Sequence, residues 1–159
     1  MTELTHADEE GRARMVDVSG KQPTQRSAVA TGTIRMAAST LDAIQTNALK
    51  KGDVLSVARI AGIMAAKQTS GLIPLCHPLS LTDIRIEFSI DESLPGVRVE
   101  AHARTLDRTG VEMEALTGAA IALLTIYDMA KAMDRAMTIT GIGLLEKHGG
   151  ASGDWTRPG

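Results

Sequence analysis

Gly110-Val111-Glu112-Met113-Glu114-Ala115-Leu116-Thr117-Gly118-Ala119-Ala120-Ile121-Ala122-Leu123-Leu124-Thr125-Ile126-Tyr127-Asp128-Met129-Ala130-Lys131-Ala132 is the stretch around which this chain is organised. Thirteen residues, Ala115 to Tyr127, carry no charge. Leu116, Ala120, Leu123, Tyr127 and Ala130 recur at helical spacing, and the other faces are apolar or small. A helix apolar all round is either buried in a core or spans a membrane. Thirteen uncharged residues fall short of the roughly 20 that a bilayer requires, so the spacing predicts a core helix. Gly118, Ala119, Ala120 and Ala122 have little or no side chain, which lets a neighbouring element approach closely.

Charge returns at both ends of this helix. Glu112 and Glu114 fall in its first turn, where carboxylates suit the partial positive charge of the helix N-terminus. That ordinary role is sufficient to explain them. Asp128 and Lys131 are spaced i, i+3 and share one face near the last turns. The ordinary reading is a surface ion pair of about 0–1 kcal/mol. Their emergence directly from an apolar segment points instead to a cleft wall.

The totals bound the rest. At 159 residues the chain is expected to form one domain, 1–159, and to bury about two-thirds of its unfolded surface. A net charge of −2 gives no general attraction to nucleic acid or to an anionic membrane. With one each of Phe, Tyr and Trp, there is no stacking surface for single-stranded nucleic acid. A single cysteine, Cys76, excludes an intrachain disulfide and a cysteine metal cluster. The polar, acidic start lacks an apolar signal region, so the chain reads as soluble and cytoplasmic.

Around the central helix the chain reads as an α+β succession. Residues 1–14 and 149–159 look like loose tails, and 15–21 like a short extended piece. Ser27 to Met36 alternates as a strand. Ser39 or Thr40 is a plausible N-cap for a helix carrying Leu41, Ile44, Ala48 and Leu49 up to Lys50-Lys51-Gly52. Asp53 caps a second, more apolar helix that ends near Ser70-Gly71. Two prolines in Ile73-Pro74-Leu75-Cys76-His77-Pro78-Leu79 exclude helix interior and central strand. Thr82 to Ile90 and Val97 to Arg104 alternate on either side of the turn Asp91 to Gly96, forming a hairpin. Met137 to Leu145 is a last strand. The order matches the split βαβ pattern, which predicts a ferredoxin-like two-layer sandwich: an antiparallel sheet with helices packed on one face. The polar alternation on the other face suits solvent or another subunit.

No phosphate-binding glycine motif is present. Cys76-His77 cannot form a metal site alone, and no acidic run has ligand spacing, so no structural or redox metal is expected. A proline-flanked loop does fix an imidazole well, although His77 can equally be a packed loop residue. Arg26, Lys51, Lys67, His77, Arg108, Lys131 and Lys147 are the cations to follow. Each alone is most simply a solvated surface residue, except that Lys67 closes an apolar helix. Residue patterns therefore reach a compact α+β domain with a cationic cleft, and do not name a reaction.

Several blocks go further. Met-Val-Asp-Val-Ser-Gly-Lys (15–21), Lys-Gly-Asp-Val-Leu (51–55), Ala-Arg-Ile-Ala-Gly-Ile-Met-Ala-Ala-Lys (58–67), Leu-Ile-Pro-Leu-Cys-His-Pro-Leu (72–79), Gly-Val-Glu-Met-Glu-Ala-Leu-Thr (110–117) and Tyr-Asp-Met-Ala-Lys-Ala (127–132) resemble the signature blocks of the molybdenum cofactor biosynthesis protein C family, the cyclic pyranopterin monophosphate synthases. The resemblance runs from about Leu4 to Asp154. It departs at Ala130, where a Cys is common, at Gly71, and at Ala151, where the family's tail carries a second lysine.

The resemblance implies a lyase that converts a 3′,8-cyclised dihydro-GTP into cyclic pyranopterin monophosphate with loss of pyrophosphate. It implies Asp128 and Lys131 as the catalytic pair. Lys51, His77, Glu112, Glu114 and Lys147 match other site positions, with Leu75, Cys76, His77, Met113 and Glu114 contacting substrate. Lys67 and Arg26 are further substrate-binding candidates. No cofactor is implied, and Mg²⁺ is expected only as a companion of the substrate phosphates. The implied assembly is a homohexamer, a trimer of dimers, with sites across a dimer interface. The rival classes are a nucleotide-binding module and a structural assembly subunit. A carboxylate beside a phosphate argues against the first, and the Cys76-His77 loop against the second.

Overall fold

The computed structural model describes residues 6–159. Strand β1 (Thr24–Arg35) buries Ala28, Ala30 and Ile34 on one face and turns Ser27, Val29 and Thr33 to the other, as period-two alternation requires. Helices α1 (Ala38–Gln45), α2 (Val54–Lys67) and the single turn α3 (Thr69–Leu72) lead to the hairpin β2 (Leu81–Asp91) and β3 (Gly96–Asp107). The core helix α4 (Glu112–Ala130), β4 (Thr138–His148) and a two-residue β5 (Trp155–Thr156) complete the chain. Sheet order is β2-β3-β1-β4-β5, and every adjacent pair is antiparallel. Since β3 runs between β1 and β2, and β1 between β3 and β4, this is the expected split βαβ sandwich.

Helix α4 is long and apolar enough, by length and composition, to cross a membrane. It instead buries Ala115, Ala119, Ala122, Leu123 and Ile126 against the sheet, where Ala30, Val99, Ala101 and Ala103 meet it. Small residues on both sides bring helix and sheet close. The same holds between helices. A Cβ added to Gly62 of α2 would lie 2.9 Å from the Gly118 carbonyl and 3.0 Å from Ile86 Cγ1, so backbone meets backbone there.

The structure differs from the sequence reading at several boundaries. Helix α1 stops at Gln45, not at Lys51, because Asn47 takes a left-handed conformation (φ 53°). The Ala48 N–H then bonds the Ala43 carbonyl and the Asn47 N–H the Ile44 carbonyl, a Schellman closure. Its N-terminus starts one or two residues before the expected Ser39 or Thr40 cap. The cap comes from afar: Asp134 Oδ2 accepts from the Ala37 N–H at 2.9 Å and the Thr40 hydroxyl at 3.3 Å. Asp53 does cap α2, accepting the Ser56 N–H at 3.0 Å.

The expected extended piece at 15–21 forms no strand. The segment read as a loose tail from residue 149 contains β5. Gly149 and Gly150 both have φ of 86°, which reverses the chain, and Trp155 and Thr156 pair with Lys147 and Glu146. Asp154 holds the reversal by accepting the Gly149 N–H at 3.0 Å and pairing with His148 at 3.1 Å. Of the tail expected at 1–14, residues 1–5 lie outside the described residues, and Ala7 bridges Ala13 in the rest.

Candidate active site

The loop before β2 and the first turn of α4 meet around a cavity of about 710 Å³, with Leu75, Cys76, His77, Gly110, Glu112 and Met113 among its walls. The prolines at 74 and 78 keep this loop out of regular structure, and its side chains reach the helix start. His77 Nε2 lies 2.6 Å from the Val16 carbonyl. A carbonyl can only accept, so Nε2 carries the proton, and in the neutral ring Nδ1 keeps the lone pair. The Glu112 carboxylate folds back over Gly110, where an added Cβ would meet its oxygens. A larger residue at 110 would push this flexible carboxylate aside.

Glu114 is 3% exposed, which is unusual for a carboxyl group. Its Oε1 accepts the Cys76 thiol at 3.7 Å, while Oε2 is buried without a partner among the described residues. Burial pushes the Glu114 carboxyl above its ordinary range; its own backbone N–H and the Cys76 thiol oppose this, and the nearby Glu112 charge adds to it. Burial also pushes the Cys76 thiol up to about 11, with the Glu114 and Glu112 charges adding to the effect. This end of α4 thus holds a carboxyl biased towards its protonated form beside an unreactive thiol.

The other end is open and charged. Lys131 Nζ donates to Asp128 Oδ1 at 2.7 Å. Lys51 Nζ lies 3.0 Å from the Asp128 carbonyl and 3.3 Å from Oδ2. One carboxylate is thereby bonded by two ammonium groups, and Asp128 is held below the usual carboxylate range by the Lys131 and then the Lys51 hydrogen bonds, together with both charges. The Asp128–Lys131 pair was readable from helical spacing. Lys51 is not, being 77 residues from its partner. The three side chains are 50–59% exposed, so within one chain they stand on open surface rather than forming the cleft wall expected.

The remaining candidates scatter. Arg26 ties the start of β1 to the β3–α4 connection, donating to the Asp107 and Arg108 carbonyls at 3.2 Å each. Lys67 lines a separate groove beside Leu79 to Ile84. Lys147 is bonded to the Ser152 hydroxyl in the β4–β5 turn. The cations expected in one cleft are therefore dispersed in the single chain. His6 and Ala13 border the cavity and the Val16 carbonyl anchors His77, none of them a predicted site group; of the three only Val16 lies in a signature block, 15–21.

The two organised clusters lie at opposite ends of one helix. Glu112 and Asp128 are 16 residues apart in α4 (128 − 112), which at the helical rise is about 24 Å. Fold and site together define a ferredoxin-like α+β protein with acid–base groups at both ends of its core helix. A family model described as the MoaC family matches residues 15–150, and the chain belongs to that family. This places it among the enzymes of molybdenum cofactor biosynthesis. Strand β5 lies beyond the matched residues.

Proposed function

We propose that the chain is a cyclic pyranopterin monophosphate synthase. It acts as a cytoplasmic lyase, converting 3′,8-cyclo-7,8-dihydroguanosine 5′-triphosphate to cyclic pyranopterin monophosphate and releasing pyrophosphate. The observation that carries this reading, beside family membership, is Asp128 bonded to both Lys51 and Lys131. A site that only grips phosphate gains nothing from a carboxylate among its cations. A carboxylate and two ammonium groups in direct contact supply what ring rearrangement and pyrophosphate loss need: positioned proton donors, an acceptor, and charge for the leaving group. Lysine suits this because its ammonium is retuned more readily than a guanidinium. Any Mg²⁺ enters with the substrate phosphates.

The reading includes a shared site in a homohexamer built as a trimer of dimers. The cavity end and the lysine end of α4 lie too far apart to act on one substrate in one chain. An antiparallel second copy would bring the Cys76–His77–Glu114 end beside the partner's lysine end. The exposed stripe Val57, Ile60 and Met64 on α2, with exposed Leu124 on α4, is apolar surface that such a copy would cover.

The test supplies the cyclised dihydro-GTP and measures pyrophosphate and the pterin product. Lys131→Ala and Glu114→Gln should each be inactive alone. Mixed and allowed to exchange subunits, they should recover about a quarter of the wild-type sites, because half the dimers are mixed and each mixed dimer has one intact site of two. Failure of wild-type protein to release pyrophosphate refutes the reaction; active wild type without recovery on mixing refutes the shared site.

A further inference from the structure

The sheet face turned away from the helices carries a cluster that the synthase chemistry does not use. Glu87 of β2 stands directly opposite Glu100 of β3. Like charges so placed destabilise a sheet unless something offsets them. His102 lies two residues further along β3, on the same face. Its Nε2 is 3.5 Å from Glu100 Oε2 and 3.7 Å from Glu87 Oε2. One donor atom from each of the three residues falls within 4.8 Å of the others. Two donors bound to zinc at their usual distances in a tetrahedron are about 3.3–3.5 Å apart. The observed imidazole–carboxylate spacings are thus within a few tenths of an ångström of what a shared metal ion demands.

Two further observations point to an ion. His102 Nε2 is shielded from solvent and has no hydrogen-bond partner among the described residues, although both carboxylates face it. The neighbouring Arg85 does not fill the gap. Arg85 reaches Glu87 through Oε1, at 3.4 Å, and is shared with Asp83 at 3.6 Å, so it orients Glu87 and leaves Oε2 free. His102 also borders a hollow of about 270 Å³ lined by Arg85, Arg104, Glu146 and His148, which neither Glu87 nor Glu100 reaches, so the cluster itself stands beside it on the sheet face.

We propose that Glu87, Glu100 and His102 together bind one divalent transition-metal ion, with a water in the fourth position. Imidazole with two carboxylates favours zinc, and cobalt serves as its spectroscopic substitute. The ion clips β2 to β3 on the face opposite α4 and takes no part in the proton transfers at the ends of that helix. This site runs against the sequence expectation of no structural metal, which considered spacing along the chain and could not see the hairpin register.

The test is titration of metal-stripped protein with Co²⁺, followed by visible d–d absorption, and competition by Zn²⁺. One ion per chain at micromolar concentration is expected, with a raised thermal midpoint on binding. Glu87→Gln, Glu100→Gln and His102→Asn should each weaken binding by at least about tenfold, since even outer-shell losses cost 10–100-fold. His148→Asn is the control: its imidazole lies beside Glu146 and Asp154, another carboxylate pair, and its loss should leave binding intact. Glu100→Gln is a conservative change at a half-exposed position, so misfolding does not confuse the result. The proposal is overturned by no uptake at micromolar metal, by uptake that survives Glu100→Gln, or by uptake lost in His148→Asn.

Discussion

Replacing Glu114 by Met should make the protein more stable at neutral pH while abolishing its activity. Glu114 is 3% exposed and its Oε2 has no partner among the described residues, so the core helix carries an orphaned acceptor there. Such a group costs about 1–3 kcal/mol relative to one that is satisfied or absent. Methionine has a similar length, suits a helix, and leaves only the weak Cys76 thiol without its acceptor.

The pH dependence follows from the raised carboxyl. Below the ordinary glutamate value both folded and unfolded chains are protonated, and no ionisation penalty exists. As pH rises, the unfolded chain releases its proton first, and the wild-type fold loses stability until its own raised value is passed. The advantage of Glu114→Met should therefore be small near about pH 4 and largest near about pH 8. Taking about 2 kcal/mol there, the midpoint should rise by roughly 4–8 °C for a chain of this size. Thermal unfolding of both proteins across that range, with the turnover assay alongside, decides it. A variant less stable at pH 8, or a difference that does not change with pH, refutes the argument that Glu114 is a buried, penalised acid retained for function.

Asp128→Asn should lower the single-turnover rate by about 10²–10⁴-fold with substrate still bound, because it removes the one carboxylate bonded to both lysines. Its thermal midpoint should barely change, since all three side chains are exposed; if weaker binding accounts for the whole loss, the catalytic role is wrong. Lys147→Ala should raise the substrate concentration required and spare the saturated rate, and a loss confined to kcat would contradict that. Cys76 should alkylate about tenfold more slowly than an ordinary thiol, because burial raises its value to about 11 and thins the thiolate while the more basic sulfur recovers part of the rate; iodoacetamide kinetics against a free thiol at the same pH would expose a normal cysteine. Gly62→Ala should cost about 1–3 kcal/mol in denaturant unfolding because its Cβ meets the Gly118 carbonyl. Gly71→Ala, with open space around it, is the control that should not.

What could be read from the chain alone is local. The uncharged run of α4, the alternation of β2 and β3, the Asp53 cap and the i, i+3 pairing of Asp128 with Lys131 depend on neighbours within a turn or two. Periodicity and capping determine such features, and they suffice for the order of elements and hence for the sandwich. The signature blocks carried the family resemblance in the same way, as side chains at set intervals. The Leu41–Leu49 stripe predicts a longer α1 than forms, because periodicity does not register Asn47, whose left-handed turn ends the helix. Two residues show no period, so Trp155 and Thr156 become strand β5 only through pairing with β4.

Only the tertiary structure decided which distant groups meet. Lys51 joins Asp128 because α2 begins beside the end of α4, Glu114 is buried because the Cys76 loop closes over it, and Glu87 faces Glu100 through the hairpin register. It also decided that Asp128 and Lys131 stand half-exposed on open surface in the single chain rather than in a cleft wall. Spacing along a chain reports direction on a helix or strand, whereas burial, orphaned oxygens and contacts across the sheet depend on how the elements pack.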